Sequence, residues 1–142
     1  MKITITPLLI ILSLSTNLFA QDSDYSQIEK TVSYYLDGGT NNDFETLKKA
    51  FHPEAKMKYI RGENYTEVNA LEFFQKAIKP GPKQNRTSIV EQINIAGNAA
   101  HARLRIDYPS FYFIDYMNLL KINGEWKVVN KIFYRKSKTS NK

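Results

Sequence analysis

Hydrophobic positions along the chain change period twice. An unbroken apolar run, "PLLIILSLST", comes first, behind the single charge of Lys2. A helical period follows. In "SDYSQIEKTVSYYLDGG", Ile28, Val32 and Tyr35 or Leu36 recur at three- and four-residue steps; Ser26 with Glu29 offers a capping box, and Gly38-Gly39 a stop. In "NNDFETLKKAFHPEA", Phe44, Leu47 and Phe51 share a face, Asn42 with Glu45 suits the start, and Pro53 ends the helix. A short alternating pair, "KMKYI" and "YTEV", flanks the turn "RGEN". A third helix, "NALEFFQKAIKPG", carries Leu71, Phe74 and Ile78 on one stripe, with Asn69 and Glu72 at its cap.

From Arg86 on, the period is two. "RTSIVEQINI" and "AAHARLRID" flank Gly97-Asn98, a turn that suits a two-residue hairpin. That register places Ile89, Glu91, Ile93, Ile95, Ala100, Ala102, Leu104 and Ile106 on one face, with Glu91 its one carboxylate. After Pro109 come "FYFIDYMNLLKI" and "EWKVVNKIFYRK". One residue of slip exchanges the faces of such a hairpin. A three-residue loop, Ile122-Asn123-Gly124, leaves Tyr116, Asn118, Leu120, Trp126, Val128, Asn130 and Ile132 on a face almost without charge, and this register is expected. Asp115, Met117, Leu119, Lys131 and Phe133 then face outward. Buried amides need hydrogen-bond partners, so Asn118 and Asn130 become candidates for orienting a ligand.

The order of these pieces, with "DFETLKKAFHPEAKM", "GNAAHARL" and "DYMNLLKINGEWKVVNKIF" as the strongest, resembles the putative lumazine-binding family of the nuclear transport factor two-like superfamily. The resemblance runs over about Tyr25 to Tyr134. It implies an α+β cone, in which a curved, mostly antiparallel sheet wraps three helices from the N-terminal half and encloses a cavity. Relatives of this kind include isomerases and dehydratases as well as noncatalytic binding modules, so the fold does not select a chemistry. It also implies homodimers through the outer sheet face, here at Met117, Leu119, Val129 and Phe133.

Composition narrows the function classes. The chain has 142 residues and no cysteine, which excludes disulfides, thiol nucleophiles and cysteine-held metals. Residues 1–20 have the order of a secretory leader, with cleavage expected after Ala20; residues 21–136 form the domain and 137–142 a flexible basic tail. The expected location is therefore periplasmic or secreted, with no stable membrane anchor. The net charge of +6 gathers toward the C-terminus and fits a solvated strand face; no nucleic-acid partner is expected. No phosphate loop, dinucleotide fingerprint or metal spacing is present, so no cofactor or metal is expected.

The expected partner is a small hydrophobic or aromatic molecule. Its candidate contacts are Tyr35, Phe51, His52, Met57, Tyr59, Phe74, Glu91, Tyr116, Asn118, Trp126 and Asn130. Glu91 and Asp115 are candidate bases should the protein instead be an isomerase or dehydratase; for Glu91, on the apolar face, burial is expected to raise the carboxyl pKa toward the working range. A third alternative is a dimerising module with a filled cavity.

Overall fold

The computed structural model describes residues 8–138, with side chains from Asp24 on. The leader expected over residues 1–20 lies outside the described side chains, and most of the basic tail lies outside the described residues. Helix α1 (Leu8–Thr40) runs through Ser26, so the capping box expected there does not form. Its buried stripe is the expected one, Ile28, Val32, Tyr35 and Leu36. Gly38 and Gly39 are inside the helix rather than beyond it, and α2 (Phe44–Leu47) packs against them, with the Asp43 amide donating to Gly38 O at 2.8 Å. Asp43, not Asn42, caps α2, accepting from the Thr46 amide at 3.1 Å. Asn42 takes the left-handed turn at φ 55°.

The second helix is shorter than its apolar face suggests. After one 3-10 turn (Lys48–Ala50), strand β1 (Phe51–Arg61) begins. Phe51 enters the core between Tyr35 and Phe74, at ring distances of 5.7 and 5.5 Å. Pro53, expected as a helix stop, lies where β1 breaks its ladder with the neighbouring strand, between Phe51 and Lys56, and its missing N–H costs nothing there. Strand β2 (Asn64–Asn69) returns antiparallel, and α3 (Ala70–Ala77) follows, capped as expected by Asn69 accepting from the Glu72 amide at 3.0 Å.

Four long strands complete the sheet: β3 (Thr87–Ala96), β4 (Ala99–Asp107), β5 (Phe111–Ile122) and β6 (Glu125–Ser137). The order is β2-β1-β6-β5-β4-β3, antiparallel except for the β1–β6 pair. The α+β class and the curved sheet around three helices are as expected.

Two bulges revise the expected faces. In β3–β4 the register is as expected from the turn to Ile93–Ala102, then slips at Glu91, so Val90 opposes Leu104 and Ser88 opposes Ile106. Ile89 turns out to solvent, and Glu91 pairs with Arg103 instead of entering the core. In β5–β6 the loop has two residues, not three: Asn123 (φ 51°) and Gly124 (φ 83°), which twist as a hairpin requires. A bulge at Val129 then sets Asn118 directly opposite Asn130. The inner face is therefore Asp115, Met117, Leu119, Trp126, Val128 and Lys131, all buried.

The expected inner face is thus the outer one for most of its length. Tyr116, Asn118, Leu120, Asn130 and Ile132 lie outside; only Trp126 and Val128 stay in. Of the dimer patch expected at Met117, Leu119, Val129 and Phe133, Met117 and Leu119 are buried inside, Phe133 lines the cavity, and Val129 sits half-buried on the bulge. Exposed apolar side chains on the outer face are instead Leu120, Ile132 (45%) and Tyr134 (60%).

Candidate functional site

The cone opens between α1, α3, β1 and the curved strands β4–β6. Its cavity measures about 490 Å³. Aromatic walls come from α3 (Phe73, Phe74), β1 (Tyr59), β5 (Phe113), β6 (Phe133) and the β4–β5 turn (Tyr108). The rings brace one another: Phe73 meets Phe74 edge-on at 5.5 Å, Phe113 meets Phe133 at 5.7 Å, and Tyr59 lies 4.9 Å from Phe133. Such packed rings form a stiff, apolar lining suited to a flat guest.

Three polar groups are set into the floor. Tyr35 donates to Asp115 Oδ2 at 2.7 Å, and Lys131 Nζ donates to Asp115 Oδ1 at 3.0 Å. Asp115 itself is 0% exposed. The Lys131 ammonium also lies 4.1 Å from the centre of the Phe133 ring. Burial pulls the Lys131 pKa below its ordinary value, against the opposing pull of Asp115. Burial, then the Asp115 charge, push the Tyr35 hydroxyl well above its ordinary value, so it stays protonated and donating.

A second polar set closes the end of α1. Arg86 donates from Nε to Thr40 Oγ1 (2.9 Å), from Nη2 to Leu36 O (2.8 Å) and from Nη1 to the Tyr108 hydroxyl (2.9 Å). Tyr108 donates in turn to Gln84 Oε1 at 3.0 Å, and Gln84 Nε2 donates to Gly39 O at 3.0 Å and Asn42 Oδ1 at 2.9 Å. Arg61 and Arg135 also line the cavity, each exposed.

Of the sequence-predicted residues, Tyr35, Met57, Tyr59 and Phe74 line this cavity together, and Asp115 joins its floor. Phe51 lies behind the wall, against Tyr35 and Phe74. His52 is at the far end of β1, its Nδ1 accepting from the Glu54 amide at 3.1 Å. Trp126 is core, and its indole donates to Asp24 at 3.1 Å. Glu91 is on the bulge with Arg103. Tyr116, Asn118 and Asn130 form an outer-face cluster with His101: the His101 ring stacks on Tyr116 at 5.6 Å, and its Nδ1 lies 3.0 Å from Asn118 Oδ1. The two asparagines meet each other at 3.5 Å in solvent, so no buried amide needs a ligand.

Sequence reasoning missed Lys131 and Arg86. Lys131 was assigned to the outer face by the register. Arg86, the first residue of the expected β3, carried no signal of its own beyond being a basic residue ahead of an alternating run.

The match to a family model decides the relationship: the model described as putative lumazine-binding covers residues 23–134. The chain belongs to that family. Solved structures agree with its fold. An NTF2-like protein from Shewanella baltica is 29% identical with a TM-score of 0.73, over 80% of this chain and 94% of that one. A ketosteroid isomerase-like protein from Erwinia carotovora atroseptica shares the fold at 11% identity and a TM-score of 0.64, over 80% and 96%. Among curated proteins, Aldolase FrzH of Cladobotryum sp is 23% identical over 115 residues, 79% of this chain and 91% of that protein. This putative lumazine-binding family member thus shares its fold with both solved structures.

Proposed function

We propose that this protein binds a small, flat organic molecule in the cone and does so without turning it over. The carrying observation is the state of Asp115. A general base must reach the proton it removes, within hydrogen-bond distance. Asp115 is fully shielded, and each of its oxygens already accepts from Tyr35 or Lys131. The carboxylate is committed to holding the floor, while the walls remain an open aromatic slot. The isomerase-like and aldolase relatives favour carbonyl chemistry as the other reading, with Asp115 as the base. That reading requires the triad to open on binding.

A thermal-shift screen of residues 21–142 with lumazine, flavins, pterins, steroids and small aromatic acids tests the proposal. A ligand at a hundredfold excess over its Kd adds about 2.7 kcal/mol of stability. Ala77 is exposed on α3 at the cavity mouth. Ala77→Trp is expected to abolish the shift, whereas the outer-face pair Asn118→Leu and Asn130→Leu is expected to retain it. A shift that survives Ala77→Trp and disappears with the asparagine variants would place the site elsewhere. The absence of any shift across the set would end the binding reading.

Export and dimerisation belong to the same proposal. Among the described residues no helix is long and apolar enough to cross a membrane. The sequence order at residues 1–20 supports cleavage after Ala20, and the exposed Leu120, Ile132 and Tyr134 support pairing through the outer face. Intact mass of the protein recovered from its producing cells is expected to begin at Gln21, and sedimentation to report a dimer. A mass that includes Met1, or a monomer at high concentration, would reject the respective half.

A further inference from the structure

We infer that the cavity selects an anion: a flat organic carboxylate whose carboxylate group pairs with Arg86. The inference rests on the small-molecule reading above and adds the charge and the anchoring residue.

Charge in the cavity is unbalanced. Arg61, Arg86, Lys131 and Arg135 line it, against the single carboxylate of Asp115. Asp115 is spent on Lys131 at 3.0 Å. Arg86 has no ion-pair partner among the described residues. Its three hydrogen-bond partners, Thr40, Leu36 O and Tyr108, are all uncharged. The carboxyl end of α1 supplies only a partial negative charge, worth about half an elementary charge. A half-buried guanidinium with no counterion gains most from an anion brought in by a ligand.

The group is also held ready. Three of the five N–H donors of a guanidinium are fixed here, which locks the plane of the fork and leaves donors on both terminal nitrogens. A Cβ on Gly39 would overlap Nη2, so the helix surface has been cleared for this side chain. A planar, pre-set fork matches a carboxylate in two-point geometry and loses little freedom on binding. The ring walls beside it, including Phe73 and Phe113, define the rest of the guest as flat and apolar. Arg61 and Arg135 add a same-sign field at the mouth that favours the approach of an anion.

The test compares 2-naphthoate with 2-naphthamide, which have nearly the same shape and differ by one charge, using calorimetry on the wild-type mature protein. Naphthoate is expected to bind about tenfold more tightly or better, with the preference shrinking in high salt. In Arg86→Gln, naphthoate is expected to fall to the affinity of naphthamide, which stays unchanged. Arg86 also ties down α1, so a readout without mutation runs in parallel: the arginine Nε–H signals of labelled wild-type protein. Naphthoate is expected to shift the Arg86 signal, and naphthamide to leave it. Equal affinities for the two compounds would overturn the anion inference and leave the cavity reading standing. Movement of the Arg61 or Arg135 signals alone would overturn Arg86 as the anchor. Binding of neither compound would overturn the inference, and the thermal-shift screen then decides whether the cavity reading falls with it.

Discussion

Lys131→Met is expected to cost about 3–5 kcal/mol of folding stability. The methionine fits the space of the lysine stem, so lost packing contributes little. What remains is the Asp115 carboxylate, fully buried, with Tyr35 as its one remaining partner among the described residues. Stripped of its cation, it is a buried charge without a counterion. Urea unfolding at neutral pH measures the loss. Asp115→Asn combined with Lys131→Met is expected to be far more stable than Lys131→Met alone, since neither charge remains. A single variant as stable as wild type, or a double variant no better than the single, would remove the triad from its role as the fixed floor of the cone.

Gly38→Ala is the second large effect. A methyl group there would lie 2.7 Å from Asp43 O and closer still to the Leu47 amide, both backbone atoms of the α2 turn. Backbone cannot step aside as a side-chain tip can. The cost is expected at about 1–3 kcal/mol or above, the range for overpacking a filled interior, despite the better helix propensity of alanine. Gly39→Ala makes the contrast. Its methyl would meet the guanidinium of Arg86, which can move at the expense of its three hydrogen bonds. Its penalty is expected to appear mainly in naphthoate affinity, with a smaller change in the urea midpoint than Gly38→Ala. Equal midpoints for wild type and Gly38→Ala would mean that α1 and α2 have room to part.

The helices and turns were legible where local chemistry decides them. Asn69 caps α3 because its side chain reaches the Glu72 amide, and Gly97-Asn98 turns β3 into β4 as a two-residue loop because the glycine accepts positive φ. These signals sit within four residues of each other. The strand faces were not legible, because a bulge adds one residue without leaving a mark on a two-residue period. The bulges at Glu91 and Val129 each turned the far part of a strand over. Preferring the face with less charge chose the three-residue loop and with it the wrong side of β5, while on β6 only the part beyond Val129 was turned the wrong way. Asp115 and Lys131 read as solvent residues one at a time, and only their pairing across the hairpin makes them interior. The Arg86 network joins α1, the loop before β3 and the β4–β5 turn, segments far apart in the chain, so no window of sequence contains it. The family resemblance supplied the cone and had no means of supplying the charge within it.

The parallel β1–β6 pair sets when this molecule can exist. Met57 pairs with Val68 on one side and finds its parallel partner, Lys131, only near the end of the described chain, and β6 joins the early hairpin to the late meander. The β1–β2 hairpin therefore waits, with its edge open, until the final strand has been made, and closing so long a loop is slow. A ribosome releases most of this chain before the cone can close.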